Sequence, residues 1–374
     1  YDTAYFGKWH VERSDRLENF GFDTYEVEQY QQKLGLVEVE EELSSRRLVR
    51  QKGYKDFLLY GISDDPPEAL PEYRMFSDGI TFLESADADR PWALFLSSEA
   101  PHDPYVAPRS YFERYDPGDL TRPASFGDDL HGRPAIYRRI QSVWEDLAWE
   151  DFAMATACYY ANCTMVDEQI GRILTALDSL GMAENTIIVL TSDHGDYMAE
   201  HRLLLKGIPP YEGAYRIPFI ISGPGIPAGR VVHEIVSLLD LAPTLVGLSL
   251  GEEFTCHGRS LLPLFPGSDE GWPSEAFAEC HGQRFNYTQR ILWQGNDKYV
   301  FNGFDEDELY DLAADPQEMH NLAGDPRYKV LLENLAARMW QIMHETNDRT
   351  MVGAQYGMFR YLPVGPELVE GSRS

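Results

Sequence analysis

Short apolar runs alternate with helical patterns over the first two thirds of the chain. Four runs have the length of a strand and are bounded by polar residues, Gly or Pro: residues 1–6, 92–97, 186–191 and 218–222. Apolar residues recur every three or four positions over residues 159–180, which predicts an amphipathic helix that Gly181 ends. A further short helix is predicted from about Asp240. A helix followed by a buried strand is typical of an α/β fold.

After about Pro273 the pattern changes to short alternating segments followed by a helix. The segments cover residues 276–280, 287–293, 298–301 and 309–312, and the helix covers residues 327–344. We therefore predict an α/β main domain over residues 1–272, with a mostly parallel central sheet flanked by helices. A smaller C-terminal α+β subdomain with an antiparallel sheet, and a tail, would occupy residues 273–374.

Two polar stretches, residues 26–74 and 115–150, show little buried-strand pattern and are interpreted as insertions near the rim of the main sheet. Their aromatic side chains could stack on a substrate or form a small core of the insertion itself, and the second interpretation is preferred. These side chains are Tyr54, Phe57, Tyr60, Tyr137 and Trp144.

The charge balance narrows the range of partners. The 374 residues include 61 acidic and 32 basic side chains, for a net charge of −29. A chain this acidic disfavours nucleic acid and anionic membrane surfaces, because both require a basic face. The longest apolar run, residues 236–250, is interrupted by Asp240 and Pro243 and is too short to span a bilayer. Neither a compartment nor an oligomeric state follows from these counts.

Titratable residues follow three of the predicted strands directly. Lys8 and His10 follow the first, His102 follows the second, and Asp193 and His194 follow the third. Each of them alone could be an ordinary solvated loop residue. Because ligands of α/β sheets bind beyond the carboxyl ends of the strands, the convergence of three such ends predicts a functional site.

The residue types in this set suit an anionic ester. Lys8 and Lys206 supply fixed positive charge, and His10 and His102 can move protons near neutral pH. Asp193 and His194 offer an oxygen and a nitrogen to a divalent cation, but two protein ligands are too few for Ca²⁺ or Zn²⁺. His201 follows His194 by seven positions, which does not match the zinc-hydrolase spacing, so we expect it to order the loop before Lys206.

Several ordered motifs resemble those of the sulfatase family of the alkaline phosphatase superfamily. They are residues 1–10, 21–23, 101–108, 191–196, 205–207, 211–218 and 308–312, with His201, Asp315-Pro316 and Asn321-Leu322. The resemblance runs almost end to end. It implies an alkaline-phosphatase-like fold and hydrolysis of a small-molecule or glycan sulfate ester.

The resemblance also implies roles for individual residues. In the family, a Cys or Ser within C/S-x-P-x-R becomes formylglycine, whose hydrate attacks the sulfur while a divalent metal neutralises the sulfate oxygens. Lys8 would hold the formylglycine and the sulfate, His10 would take the proton that regenerates the aldehyde, and His102 would be the general acid. Lys206 would bind sulfate and assist His102. Asp193 and His194 would be two metal ligands, with Ca²⁺ preferred and Mn²⁺ or Zn²⁺ as alternatives.

The chain departs from the family in two respects. The pattern C/S-x-P-x-R does not occur in the 374 residues, and the paired acidic residues of the family's first strand are not found either. Both normally precede the lysine motif, and Tyr1 already stands in a strand pattern, so we expect them upstream of Tyr1. The chain as given would then contain no nucleophile and be inactive alone. Two alternatives stay open: a phosphonate or phosphate ester hydrolase, and a non-catalytic fragment that keeps the fold.

Overall fold

The computed structural model describes residues 1–11, 16–27, 43–49, 56–87, 89–267, 271–282, 287–303 and 305–352. In chain order the strands are β1 (Asp2–Gly7), β2 (Thr24–Glu26), β3 (Ser44–Val49), β4 (Phe57–Ser63), β5 (Trp92–Ser97), β6 (Tyr105–Pro108), β7 (Ile188–Thr191), β8 (Phe219–Ser222), β9 (Glu275–Cys280), β10 (Gln289–Gln294), β11 (Asp297–Phe301) and β12 (Glu308–Asp311). The α-helices are α1 (Pro71–Ser85), α2 (Arg109–Phe112), α3 (Ala135–Gln141), α4 (Trp149–Ser179), α5 (Glu212–Tyr215), α6 (Leu241–Leu250), α7 (Lys329–Glu345) and α8 (Arg349–Val352).

The chain falls into two compact units, and the first comprises residues 1–122 and 143–186. Its parallel sheet has the order β2-β1-β5, and β1 pairs with β5 from Asp2 opposite Trp92 to Gly7 opposite Ser97. Side chains of β1 pack against Met75 and Phe76 of α1 and against the apolar face of α4. Adjacent parallel strands place the residues that follow β1 and β5 at the same edge of this sheet.

A second sheet of this unit corrects one expectation from the sequence. The stretch 26–74 contains β4, which is buried along most of its length and lies between β3 and β6 in the order β3-β4-β6. Its continuous apolar run has no alternation, and charged flanks obscure it, so the pattern of the stretch as a whole looked polar. Because β4 pairs in parallel with β6, it supports the segment that follows His102.

The second unit comprises residues 123–142 and the described residues from 187 onward. β7 pairs antiparallel with β8, and a four-stranded antiparallel sheet has the order β12-β11-β10-β9. Helix α7 buries Leu335, Met339 and Met343 against this sheet. The predicted antiparallel C-terminal α+β arrangement is therefore observed, with strands within about two residues of their predicted bounds.

The segment 123–142, from the second polar stretch, packs into the second unit. The Tyr137 hydroxyl donates to Glu308 Oε1 over 2.7 Å, and Arg133 Nε donates to the Tyr310 hydroxyl over 3.0 Å. Tyr137 and Trp144 are buried, as is Tyr60 in the first unit, so these aromatic side chains belong to the protein core. Tyr54 and the tail 353–374 lie outside the described residues, and the domain boundary at residues 272/273 stays a prediction.

Parallel and antiparallel sheets covered by helices make this an α/β fold with a C-terminal α+β part, as predicted. No helix within the described ranges is both long and apolar enough to cross a membrane.

Candidate functional site

Lys8 is held at the carboxyl end of β1 by a turn that requires glycine. Gly7 has φ +110°, and a Cβ on it would lie 2.1 Å from the Ser97 carbonyl oxygen. The Lys8 N–H donates to that same carbonyl over 2.8 Å, and the Tyr5 hydroxyl donates to the Lys8 carbonyl. The side chain is 13 % exposed, and its Nζ lies 3.3 Å from Glu99 Oε1. A lysine charge is thus fixed at the edge where β1 and β5 end.

Glu99 is a functional candidate that the sequence reasoning missed. This buried carboxylate follows β5 directly, and its Oε1 lies 3.3 Å from Lys8 Nζ and 3.7 Å from His102 Nδ1. The signal that could have identified it is an acidic residue between an apolar strand and the Pro101-His102 pair. Glu99 brings the predicted Lys8 and His102 together.

The imidazole of His102 is oriented by oxygen atoms around Nδ1. The Asp103 carbonyl oxygen lies 2.7 Å from Nδ1, and Asp103 Oδ1 lies 3.1 Å away. An Nδ1–H therefore donates to the Asp103 carbonyl, and this bond fixes the orientation of the ring.

A second carboxyl group lies behind this cluster. Glu72 of α1 is buried, and its Oε1 accepts the Ala100 N–H over 3.2 Å. Burial raises the pKa of Glu72, and the negative charge of Glu99 raises it further. Through its hydrogen bond with the Ala100 N–H, Glu72 supports the segment between Glu99 and His102.

His10 is exposed after β1. The residue before it, Trp9, is buried against the rings of Tyr5 and Phe20, with centroids at 5.2 and 5.0 Å. This aromatic contact fixes the backbone between Lys8 and His10. The backbone that leads to His10 is therefore anchored to the sheet edge by Trp9.

Asp193 and His194 form a tight turn after β7. The His194 N–H donates to Asp193 Oδ1 over 3.0 Å, and His194 Nε2 lies 3.6 Å from Asp193 Oδ2. The Asp193 side chain is 72 % exposed. In the described part of the chain, no cluster of three or more His, Cys, Asp or Glu side chains could hold a metal ion. These two donors alone are fewer than a Ca²⁺ or Zn²⁺ site needs.

Lys206 directly follows a loop, residues 197–205, that is closed by backbone hydrogen bonds. The Tyr197 N–H donates to the Leu205 carbonyl and the Ala199 N–H to the Leu203 carbonyl, each over 2.9 Å. His201 is buried inside this loop, with Nδ1 2.7 Å from Asp128 Oδ2.

The imidazole of His201 also stacks on Tyr211, at 3.8 Å between ring centroids. These contacts agree with the expectation that His201 orders the loop before Lys206. Through these contacts His201 has a structural role and is not placed as a metal ligand.

The predicted residues thus form two groups. Lys8, His10 and His102 lie in the first unit, where Glu99 joins Lys8 and His102. Asp193, His194 and Lys206 lie in the second unit. A single site made from both groups stays a prediction.

Comparison with known proteins identifies the family. The sulfatase family model matches residues 1–251, and the model described as "N-sulphoglucosamine sulphohydrolase, C-terminal" matches residues 199–345. An arylsulfatase of Clostridium perfringens is 32 % identical over 277 residues, which are 71 % of this chain and 56 % of the relative. A choline-sulfatase of Rhizobium meliloti is 34 % identical over 262 residues, which are 67 % of this chain and 50 % of the relative. The chain spans about half the length of these curated relatives.

Solved structures agree on the fold. The phosphonate monoester hydrolase of Agrobacterium radiobacter superposes with a TM-score of 0.76 at 24 % identity, over 94 % of this chain and 79 % of the other. A protein solved in complex with its substrate D-glucosamine-2-N,6-O-disulfate gives a TM-score of 0.72 at 22 % identity, over 93 % and 80 %. With two thirds of its residues matched by the family model, the chain belongs to the sulfatase family of the alkaline phosphatase superfamily.

Proposed function

We propose that this chain carries the binding and proton-transfer residues of a sulfuric ester hydrolase. The observation that supports this most directly is the cluster at the ends of β1 and β5. There a largely buried lysine and an oriented histidine share the carboxylate of Glu99. In a protein of net charge −29, a fixed cation beside a proton donor is the arrangement that an anionic ester requires.

Each residue has a role in this proposal. The ammonium groups of Lys8 and Lys206 bind the sulfate oxygens and stabilise the negative charge on the group being transferred. His102 Nε2–H donates a proton to the leaving oxygen, with the ring held through Nδ1 by Asp103. His10, which is exposed, would be the proton acceptor in the step that restores the nucleophile.

The family implies two further groups, a divalent metal and formylglycine. The metal would neutralise sulfate oxygens, and Asp193 and His194 would be two of its ligands. These two side chains do not fit a complete cation site, so a bound metal would need further ligands. Formylglycine has no precursor motif in the 374 residues, and no residue here is assigned as nucleophile.

Phosphonate or phosphate ester hydrolysis is the alternative, because the same lysine and histidine roles serve phosphoryl transfer. The names of the curated relatives favour a sulfate ester, since they include an arylsulfatase and a choline-sulfatase. The resemblance to a phosphonate monoester hydrolase structure, at 24 % identity, concerns the fold alone. A non-catalytic fragment would not need His102 held with Nδ1 as a donor.

Equilibrium binding of 4-nitrophenyl sulfate to the chain tests the proposal. Replacement Lys8→Ala removes a charged hydrogen-bond donor and is expected to weaken binding about tenfold. Lys329→Ala is the matched control, because Lys329 is an exposed lysine of α7. An unchanged affinity in the Lys8 variant would contradict the proposal, and tighter binding of 4-nitrophenyl phenylphosphonate would favour the alternative.

Turnover is a separate question from binding. The 374-residue chain is expected to show no hydrolysis of 4-nitrophenyl sulfate, with or without added Ca²⁺, because it contains no formylglycine motif. Hydrolysis that is lost in the His102→Ala variant would show that another residue of this chain is the nucleophile.

A further inference from the structure

An ionic cluster around a buried lysine lies in the second unit and includes none of the residues with proposed reaction roles. It consists of Lys298, Glu212, Glu318 and Glu200, and we call it the Lys298 cluster. Lys298 on β11 is fully buried, with Nζ 2.7 Å from Glu318 Oε1 and 3.0 Å from Glu212 Oε1. The ammonium also donates to the Pro210 carbonyl. Such a group is costly to bury unless it is fully paired, as it is here.

The Lys298 cluster holds the first turn of α5. Glu318 Oε2 accepts the Glu212 N–H over 2.8 Å, and Trp293 Nε1–H donates to Glu212 Oε1 over 2.8 Å. The first residue of α5 is therefore fixed through its backbone and its side chain. Because Trp293 and Lys298 belong to β10 and β11, the C-terminal sheet determines where α5 begins.

Helix α5 in turn packs against the Asp193–His194 turn with no side chain between them. The Gly195 N–H donates to the Ala214 carbonyl over 2.8 Å. A Cβ on Gly195 would lie 2.1 Å from the Gly213 carbonyl oxygen, and a Cβ on Gly213 would lie 2.3 Å from Glu200 Oε2. The turn therefore contacts α5, and α5 contacts the Glu200 carboxylate on its other side, so a shift of Glu200 can reach the turn only through α5.

We propose that the Lys298 cluster positions the Asp193–His194 turn through α5, and that the protonation of Glu200 controls how firmly it does so. Lys298 and Glu200 are positioning residues in this scheme and touch no reacting group. The inference depends on the proposed function only in taking the turn as part of the reaction site.

The charges of the cluster explain the dependence on protonation. Glu212 and Glu318 pair with the ammonium and Glu200 adds a third carboxyl group, so the cluster has a net charge of −2 when all are ionised. Burial raises the pKa of Glu200 to about 7, and the charges of Glu318 and Glu212 add to this. The Gly213 N–H and the Lys298 ammonium act in the opposite direction. Glu200 therefore changes its charge near neutral pH, where its ionised form repels Glu212 and Glu318.

The sign of the effect follows from linkage. Glu200 binds its proton more tightly in the packed loop than in an opened one, where the pKa returns to about 4.5. Opening therefore becomes easier as the pH rises through 7. Between pH 6 and pH 8 this predicts about a tenfold increase in the opening equilibrium of the loop.

Amide hydrogen exchange of the full chain at pH 6 and pH 8, corrected for intrinsic rates, tests the proposal. In the wild type, residues 195–207 should lose about tenfold in protection at pH 8, and in Glu200→Gln the protection should be the same at both pH values. Asp307→Asn is the matched control, because Asp307 is also a partly buried carboxylate with a pKa raised to about 7 but lies outside the cluster. The Asp307→Asn variant should show the same loss of protection at pH 8 as the wild type. No response in the wild type, or a response that persists in Glu200→Gln, would overturn the inference.

A second pair of variants tests the role of Lys298. Lys298→Met should lower protection of residues 195–207 at least tenfold at pH 7, Lys298→Arg should restore part of it, and Lys329→Met should change nothing. Wild-type protection in a folded Lys298→Met protein would contradict the positioning role. If circular dichroism shows Lys298→Met to be unfolded, the Glu200→Gln comparison decides alone. Because exchange is measured without substrate, a failure of the proposed sulfatase activity would not affect this result.

Discussion

Asp307 shows at the scale of one residue how burial makes stability depend on pH. Its pKa is raised to about 7, first by burial, although hydrogen bonds from Tyr299 and Asn302 lower it. Because the unfolded chain ionises this group near pH 4, the folded state is destabilised as the pH rises from 4 through 7. In Asp307→Asn this penalty is absent. The variant should therefore gain about 2.5 kcal/mol relative to wild type between pH 5 and pH 8.

Urea unfolding at the two pH values measures this difference. Glu333→Gln, a change at a partly exposed carboxylate of α7, is the control and should leave the pH dependence unaltered. If Asp307→Asn and wild type show the same change in unfolding free energy between pH 5 and pH 8, Asp307 does not titrate near 7.

The sequence could place Lys8 and His102 at the same edge, because both directly follow strands that proved to be parallel neighbours. Glu99 was missed, since an acidic residue in a polar loop normally points into solvent. The Lys298 cluster could not be predicted from the sequence. Lys298 and Glu212 are 86 positions apart, and no local pattern indicates such a pairing.

At the scale of elements, strands with clear boundaries were predictable. β5 matches its predicted range, and β1 is displaced by one residue, because polar residues, Gly or Pro limit both runs. β4 was missed, since its apolar run stands in a charged stretch and its burial depends on β3 and β6. Helix α4 begins at Trp149, ten residues before the predicted pattern, since small residues such as Ala153 and Ala157 are buried there. Tertiary contacts determined these differences.

Gly7→Ala tests how β1 and β5 hold Lys8. The added Cβ would lie 2.1 Å from the Ser97 carbonyl oxygen and 2.5 Å from Met75 Sδ, at a φ of +110°. The strand pair must separate to accept it, so we expect a loss of about 3 to 5 kcal/mol in the free energy of unfolding by urea.

Gly171→Ala is the matched control for this change. Gly171 lies in α4, where a Cβ would meet nothing within 4 Å. Alanine there should stabilise the protein by up to about 1 kcal/mol, because it has the higher helix propensity. Equal stability of Gly7→Ala and the wild type would show that the turn before Lys8 is not rigid.

At the scale of the whole molecule, the net negative charge and the buried ion pairs should respond differently to added salt. The net charge of −29 acts over the entire surface and opposes compaction through self-repulsion. The buried pairs Lys298–Glu318 and Arg290–Asp348 are enclosed by protein, at 2.7 and 2.6 Å. Salt screens exposed charges much more than enclosed pairs. Added salt should therefore relieve the repulsion without weakening the internal ion pairs.

Thermal unfolding at 20 and 300 mM NaCl tests this balance. We expect the midpoint to rise by roughly 2 to 5 °C, because the excess of 29 negative charges is screened while the enclosed pairs are not. Choline chloride at the same ionic strength is the control, and an equal rise with it assigns the effect to screening and not to bound Na⁺. A midpoint that falls with salt would mean that exposed ion pairs, such as Arg114–Glu168, contribute more to stability than the net charge removes.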